Sequence, residues 1–299
     1  MREYDKETLQ KVQQIELMIL RDSLKICQKY NVKFFLIGGS AIGAIRHQGF
    51  IPWDDDIDVA MMRKDYDEFI KRINEEMPDK YIAMNTGTDK NYPLMTTRLM
   101  LKGTKFVEEP LKDIHCFLGI FLDMYVLDNL PDNPEELNKI SRKSFILSKL
   151  QILRSIAFPV LPYKGAKAKL THVITGIAHG VLTVFGISKE KLYKKAIRIA
   201  APYKNLDNSK KVGFLFDTYP DYEIYDRTDI FPLRIVKFNG LDVYMPCNVE
   251  KSLTDQYGDY MQMPPVEKRK NHFPYELDFG KYANISAEEI AAGKYDAEL

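Results

Sequence analysis

The chain has 299 residues, 45% of them hydrophobic and 28% charged, with 16 Gly and 15 Pro, the profile of an ordinary globular protein. A chain this long buries about three quarters of its unfolded surface and needs no disulfides, which excludes a collagen, a disordered tail, a coiled coil and a disulfide miniprotein. Its net charge of +1, from 43 basic and 42 acidic residues, points to no class of partner.

The charged N-terminus, MREYDKETLQK, lacks an apolar core and reads as no signal peptide. Leu9, Val12, Ile15, Ile19 and Ile26 recur near a 3.6 period and predict a helix over 7–30. A short buried strand at 33–37 follows. Gly38-Gly39-Ser40 then opens a short helix, with Ser40 expected as its cap. Pro52 fixes a loop over 50–53. Residues 56–61 (DIDVAM) read as a strand, and 64–77 as an amphipathic helix ended by Pro78. Further strands are expected near 81–83, 94–101 and 120–125. Residues 134–202 look mainly helical, broken around 159–162. Asn239-Gly240 between LRIVKF and LDVYM predicts a hairpin over 233–245. A helix over 248–257 and a short peripheral helix from 285 complete the chain. The organisation expected is a core over 1–133, a helical insert over 134–211, and C-terminal elements over 212–299 that complete the core.

Cys27, Cys116 and Cys247 have neither CxxC nor Cys/His spacing, so reduced thiols in a cytosolic protein are expected, without structural zinc. Charge is unevenly spread. Between Lys139 and Lys211 stand sixteen Lys and Arg against two acids, Glu190 and Asp207, leaving 27 basic and 40 acidic residues elsewhere. Such a block suits an anionic partner or a solvated helical rim. Val173–Ile187 is the longest apolar run and is short for a bilayer span. It could lie in the inner membrane surface as a peripheral contact, but the balance favours an apolar core helix with a basic rim. The basic segment lacks a stacking pattern, so no nucleic-acid partner is expected.

The chemistry concentrates in GGSAIGAIRHQGFIPWDDDIDVAMMRKDY, residues 38–66. Asp54, Asp55, Asp56 and Asp58 fall within five positions and repel one another unless a cation or strong donors neutralise them. On a strand, Asp56 and Asp58 project to one face roughly 6–7 Å apart at Cα. They can converge on a hard cation; Mg²⁺ suits, with Mn²⁺ as a substitute. Asp55 should point the other way, and Asp54 should sit at the loop edge. The Gly-Gly-Ser turn lets a phosphate approach the backbone and the helix N-terminus.

A Gly-Ser turn followed by paired acids on a strand resembles the nucleotidyltransferase superfamily of polymerase-beta-like enzymes. In that pattern a third acid stands on a later strand, here Asp123 in GIFLDMYVLD. The stretches IGGSAIGAIRHQGFIPWDDDIDVAMMRKDYDEF and VYMPCNVEKSLTDQYGDYMQMPPVEKR look like the LicD family signature. The likeness is dense over 10–130 and 230–272 and weak across the insert. Met-Tyr-Val stands where the family has Ile-Phe-Pro after the third acid. His272-Phe273 replaces a His pair, which leaves the role of His272 open.

The resemblance implies an α/β (α+β) nucleotidyltransferase-like fold, a mixed sheet flanked by helices with a helical insert. It implies a phosphotransferase that moves a substituted phosphate from a CDP-linked donor such as CDP-choline. The acceptor would be a glycan hydroxyl, as in teichoic-acid or lipopolysaccharide sugars or their lipid-linked precursors. Asp56, Asp58 and Asp123 would be catalytic and hold the metal, with Asp123 also serving as base. Gly38, Gly39, Ser40, Arg46 and Arg98 would bind the donor phosphates; for Arg46 an ion pair with a nearby Asp is the alternative. Arg63 and Asp65 read as a pair at a helix start, His47 and His115 as structural. Trp53 packs on Pro52 or stacks on cytosine. Tyr257 and Tyr260 line a quaternary-ammonium cage or, more simply, pack in the core. The other readings are transfer of NMP from an NTP, and a non-enzymatic acidic scaffold.

Overall fold

The computed structural model describes residues 4–294 except 160, 162, 204, 207 and 218. Val160 and Pro162 of the expected helix break, Lys204 and Asp207 of the basic block, and the first three residues of the charged N-terminus therefore lie outside the described residues. In chain order the elements are α1 (Lys6–Tyr30), β1 (Phe35–Leu36), α2 (Gly38–His47), β2 (Asp58–Met62), α3 (Arg63–Glu76), β3 (Tyr81–Met84), β4 (Thr97–Leu101), β5 (Lys105–Glu108) and β6 (Phe121–Leu130). The basic block forms α4 (Pro134–Ser155), α5 (Ala166–Val184) and α6 (Lys189–Ala200). Then come β7 (Lys211–Phe214), β8 (Glu223–Asp226), α7 (Arg227–Ile230), β9 (Arg234–Phe238), β10 (Leu241–Met245), α8 (Val249–Tyr257), β11 (Pro274–Asp278) and α9 (Ala287–Ala291).

Local chemistry accounts for the ends of these elements. Asp5 caps α1 by accepting from the Thr8 amide, and Asn31 closes it in the left-handed region at φ 53°. The hairpin turn takes positive φ at both Asn239 and Gly240, as a two-residue turn matched to strand twist requires. The final helix carries a Ser286/Glu289 capping box. It is a short peripheral helix, as expected, anchored to the main core through Ile290.

A mixed sheet runs β1-β2-β6-β4-β3, with β7 and β8 added through the far end of β6. Only β2 and β6 pair in parallel; every other pair is antiparallel. Side chains alternate between two faces. Val59, Met61, Met124 and Val126 pack with α1 and α3 through Ile15, Ile19, Phe69 and Ile73. Ala60 and Leu127 pack on the other face with Ile140 and Leu147 of α4 and Leu192, Ala196 and Ile199 of α6. The basic insert thus covers part of one face of the sheet, and β5 reaches the same face where Phe106 meets Phe121. By the same alternation Asp58 and Asp123 project toward the face that α4 covers.

One expectation is reversed in the insert. Helix α5 is no core helix: Leu182 is its single buried residue. The strands β5, β7, β8 and β11 were not expected at all. No single helix among the described residues is long and apolar enough to cross a membrane; α5 and α6 pass the length and composition test only together, and they are bent by 102°.

Candidate active site

The acid-bearing loop is held in place before its carboxylates do anything. The Asp54 carbonyl accepts from Gln13 Nε2 at 2.8 Å. The Asp58 amide donates to Ser40 Oγ at 2.8 Å, and the Ile37 amide to the Asp58 carbonyl at 3.3 Å. Ser40 is therefore not the helix cap; Ile37 holds that position without a side-chain bond, and the Ser40 hydroxyl ties α2 to β2. The Asp123 amide donates to the Ile57 carbonyl at 3.0 Å. Asp58 lies opposite Asp123 in the parallel ladder, and Asp123 opposite Arg98 in the antiparallel one. Three charged side chains from adjacent strands thus share one level of one face.

Those side chains line a cavity of about 310 Å³ together with Asp56, Tyr125, Lys149, Phe214, Asp217 and His272. One wall is the sheet and the other is α4. Asp123 Oδ2 accepts from Arg98 Nε at 3.1 Å, while Asp123 Oδ1 is buried with no partner. Arg98 also pairs with Glu108 at the end of β5. Burial works against the Arg98 charge, but Glu108 and Asp123 outweigh it and hold the guanidinium well above its ordinary value. Burial and repulsion from Asp56 and Asp123 raise Asp58 well above the carboxylate range, and burial likewise raises Asp56. Crowded carboxylates with an orphaned oxygen form a hard, anionic donor set that fits a divalent cation.

Asp55 points away from this cavity. Its oxygens accept from the Tyr4 hydroxyl at 2.6 Å and the His272 amide at 2.7 Å. His272, whose role the sequence leaves open, places Nδ1 3.3 Å from Asp56 Oδ2. The Asp56 carboxylate holds that imidazole well above its ordinary value, against burial. Among the described residues, ligand atoms of Asp55, Asp56 and His272 lie within 4.8 Å of one another. Asp56 thus belongs to two groups of acids, one with Asp55 and His272 and one with Asp58 and Asp123 in the cavity.

At the N-terminus of α2, Gly38 has φ +53°, a conformation that a side chain rarely adopts, and a Cβ there would stand 3.5 Å from Asp58 Oδ2 and 3.4 Å from the Tyr257 hydroxyl. A Cβ on Gly39 would meet Asp54 Oδ2 at 3.2 Å. The glycines therefore let helix amides and acids share one small volume. Asp54 lies in the loop before β2, as expected, and its carboxyl is raised well above its range by burial and by Asp56.

Other expected residues go elsewhere. Arg46 donates to the carbonyls of Tyr260 and Gln262 and to His47. These bonds tie it to the C-terminal segment, and it pairs with no Asp among the described residues. Arg63 pairs bidentately with Asp128 at 2.8 and 2.7 Å, and Asp65 accepts from the Lys33 amide, so the two do not pair with each other. The Trp53 ring lies 4.2 Å under the Arg269 guanidinium. Tyr260 packs against the main core, while Tyr257 is partly exposed at the mouth beside Gly38. Lys149 and Asp217 are additions: nothing in their local spacing distinguishes Lys149 from the other insert lysines. Burial lowers the Lys149 ammonium, with Asp217 opposing.

Residues 31–101 match the family model described as LicD/FKTN/FKRP, nucleotidyltransferase domain. The chain is 29% identical over 277 residues, 89% of its length and 96% of the relative's, to the lipopolysaccharide cholinephosphotransferase LicD of Haemophilus influenzae. Shorter matches, 40% identical over 47 residues, join it to uncharacterized proteins of Rickettsia prowazekii (16% of this chain, 18% of that one) and Rickettsia typhi (16% and 15%).

Proposed function

We propose that this chain, a LicD-family phosphotransferase, moves phosphocholine or a related substituted phosphate from a CDP-linked donor to a sugar hydroxyl of a cell-surface glycan or its lipid-linked precursor, releasing CMP. The observation that carries this reading is the level set of Asp58, Asp123 and Arg98 across three strands, with Asp56 beside them and one Asp123 oxygen unpartnered. The relative named for cholinephosphate transfer supports the same choice of group. Addition of NMP from an NTP has no comparable support.

Asp56, Asp58 and Asp123 would hold Mg²⁺, or Mn²⁺, which when bound neutralises charge on the donor phosphates. Lys149 on α4 faces the same cavity and attracts the diphosphate. The first amides of α2, at Gly38, Gly39 and Ser40, lack intrahelical acceptors and can donate to phosphate oxygens. Arg98 is committed to Asp123 and Glu108 and orients the base, leaving phosphate contact to the lysine. The acceptor oxygen then bonds to the phosphorus of the choline phosphate as the bond from that phosphorus to the CMP oxygen breaks. The hydroxyl proton passes to Asp123 Oδ2, leaving Oδ1 for the cation.

The test is to incubate the purified protein with Mg²⁺ and a panel of CDP-choline, CDP-ethanolamine, CDP-polyols and CTP, with and without glycan acceptors. CMP released from one CDP-linked donor, faster with acceptor and lost in Asp58→Asn, is the expected outcome. Pyrophosphate from CTP without CMP from any CDP-linked donor would overturn the reading.

A further inference from the structure

Helix α5 is built inside out. Leu170, Val173, Ile174, Ile177, Val181 and Val184 are 47–83% exposed, and their spacing puts all six on one helical face. The opposite face is the polar one. There His172 Nε2 meets the Pro159 carbonyl at 3.1 Å, His179 Nδ1 meets the Leu153 carbonyl at 2.7 Å, and Leu182 alone is buried. Phe185, just past the end of the helix, is 74% exposed, and Phe158, which packs against His172, is 65% exposed. Scattered exposed apolar residues are ordinary, but a continuous stripe of this kind marks an interaction surface.

We propose that α5 docks the protein on the surface of an anionic lipid bilayer, lying in the interface with its apolar stripe among the acyl chains. Three observations select that occupant. First, Lys164, Lys167 and Lys169 are exposed at the start of the helix, and no acid stands between Ala166 and Val184, the arrangement that pairs with lipid phosphates. Second, the basic block faces an acidic remainder of 27 basic and 40 acidic residues, so a negative surface attracts the insert side and repels the rest. Third, α5 is 19 residues long and turns by 102° into α6, so it lies along a surface and does not cross it. A two-fold contact with a second copy would set like-charged inserts against each other.

Vesicle co-sedimentation tests this without donor or acceptor, and so independently of the transfer reaction. Wild type should bind vesicles of phosphatidylcholine mixed with phosphatidylglycerol, bind phosphatidylcholine alone at least about tenfold more weakly, and detach in high salt. The double variant Ile174→Glu/Ile177→Glu should lose binding with an unchanged circular dichroism spectrum and melting temperature. Were it to unfold, Ile177→Cys carrying a polarity-sensitive fluorophore reads the same event, and a blue shift on the mixed vesicles is expected. The proposal fails if wild type stays in the supernatant at low salt, if the folded double variant binds as well as wild type, or if the label does not shift. It fails equally if sedimentation equilibrium finds a dimer that the double variant splits, which would assign the face to a second copy.

Discussion

Asp58 and Asp123 meet because a parallel ladder puts them opposite each other, and Arg98 joins them from the next strand. A buried carboxylate is tolerated only with partners, and here one oxygen of Asp123 has Arg98 and the other has none. Glu223 shows the opposite solution. It is buried at the start of β8, accepts from the Tyr225 hydroxyl and from Gln256 Nε2 at 3.4 Å, and burial lifts its carboxyl from the usual 4.5 to about 8. Between those values the folded state keeps a proton that the unfolded chain has lost. Stability from this group is therefore complete below about 4.5 and is lost as the pH rises through about 8. Glu223→Gln keeps the shape and removes the titration. Urea unfolding at pH 5.5 and pH 8 should show a shallower loss of stability in the variant, by on the order of 1 kcal/mol per pH unit; parallel slopes would refute the assignment. At this scale the shared cavity of Asp56 and Asp58 was legible from their i, i+2 spacing, although the strand begins only at Asp58 and Asp56 stands in the loop before it. Arg46 was not, because its acceptors are backbone carbonyls more than 200 positions away.

Among elements, α4 has the least expected role. Its apolar residues pack on part of one face of the sheet, and Lys149 reaches the cavity across from the acids. The basic insert is thus a wall of the site as well as a charged block. Lys149 is half-buried and makes no ion pair among the described residues, so its removal should leave the fold intact. Lys149→Ala should raise KM for the donor about tenfold with a smaller change in kcat, and Lys149→Arg should recover most of it. Unchanged KM in the alanine variant would remove the lysine from donor binding. Helix α1 and the β9-β10 hairpin were legible from apolar period and turn residues. The strands β5, β7, β8 and β11 were not: each has only four or five residues, and they gain their identity from partners remote in sequence. The inverted face of α5 was equally hidden, since apolar content says nothing about which side it points to.

Across the molecule, two apolar clusters share the sheet, and the acids lie on the face covered by the insert. The chain's near-zero net charge conceals a basic insert and a more acidic remainder. The resemblance in the acidic loop pointed to the fold and the phosphotransferase class. It did not place His272 beside Asp56, because that contact depends on β11 pairing with β5. Anomalous scattering from crystals soaked with Mn²⁺ and CDP-choline tests the central claim most directly. A peak about 2.0–2.2 Å from oxygens of Asp56, Asp58 and Asp123, with the donor phosphates beside it, is the expected result. A peak held by Asp55 and His272, or none in the cavity while the donor binds elsewhere, would contradict it.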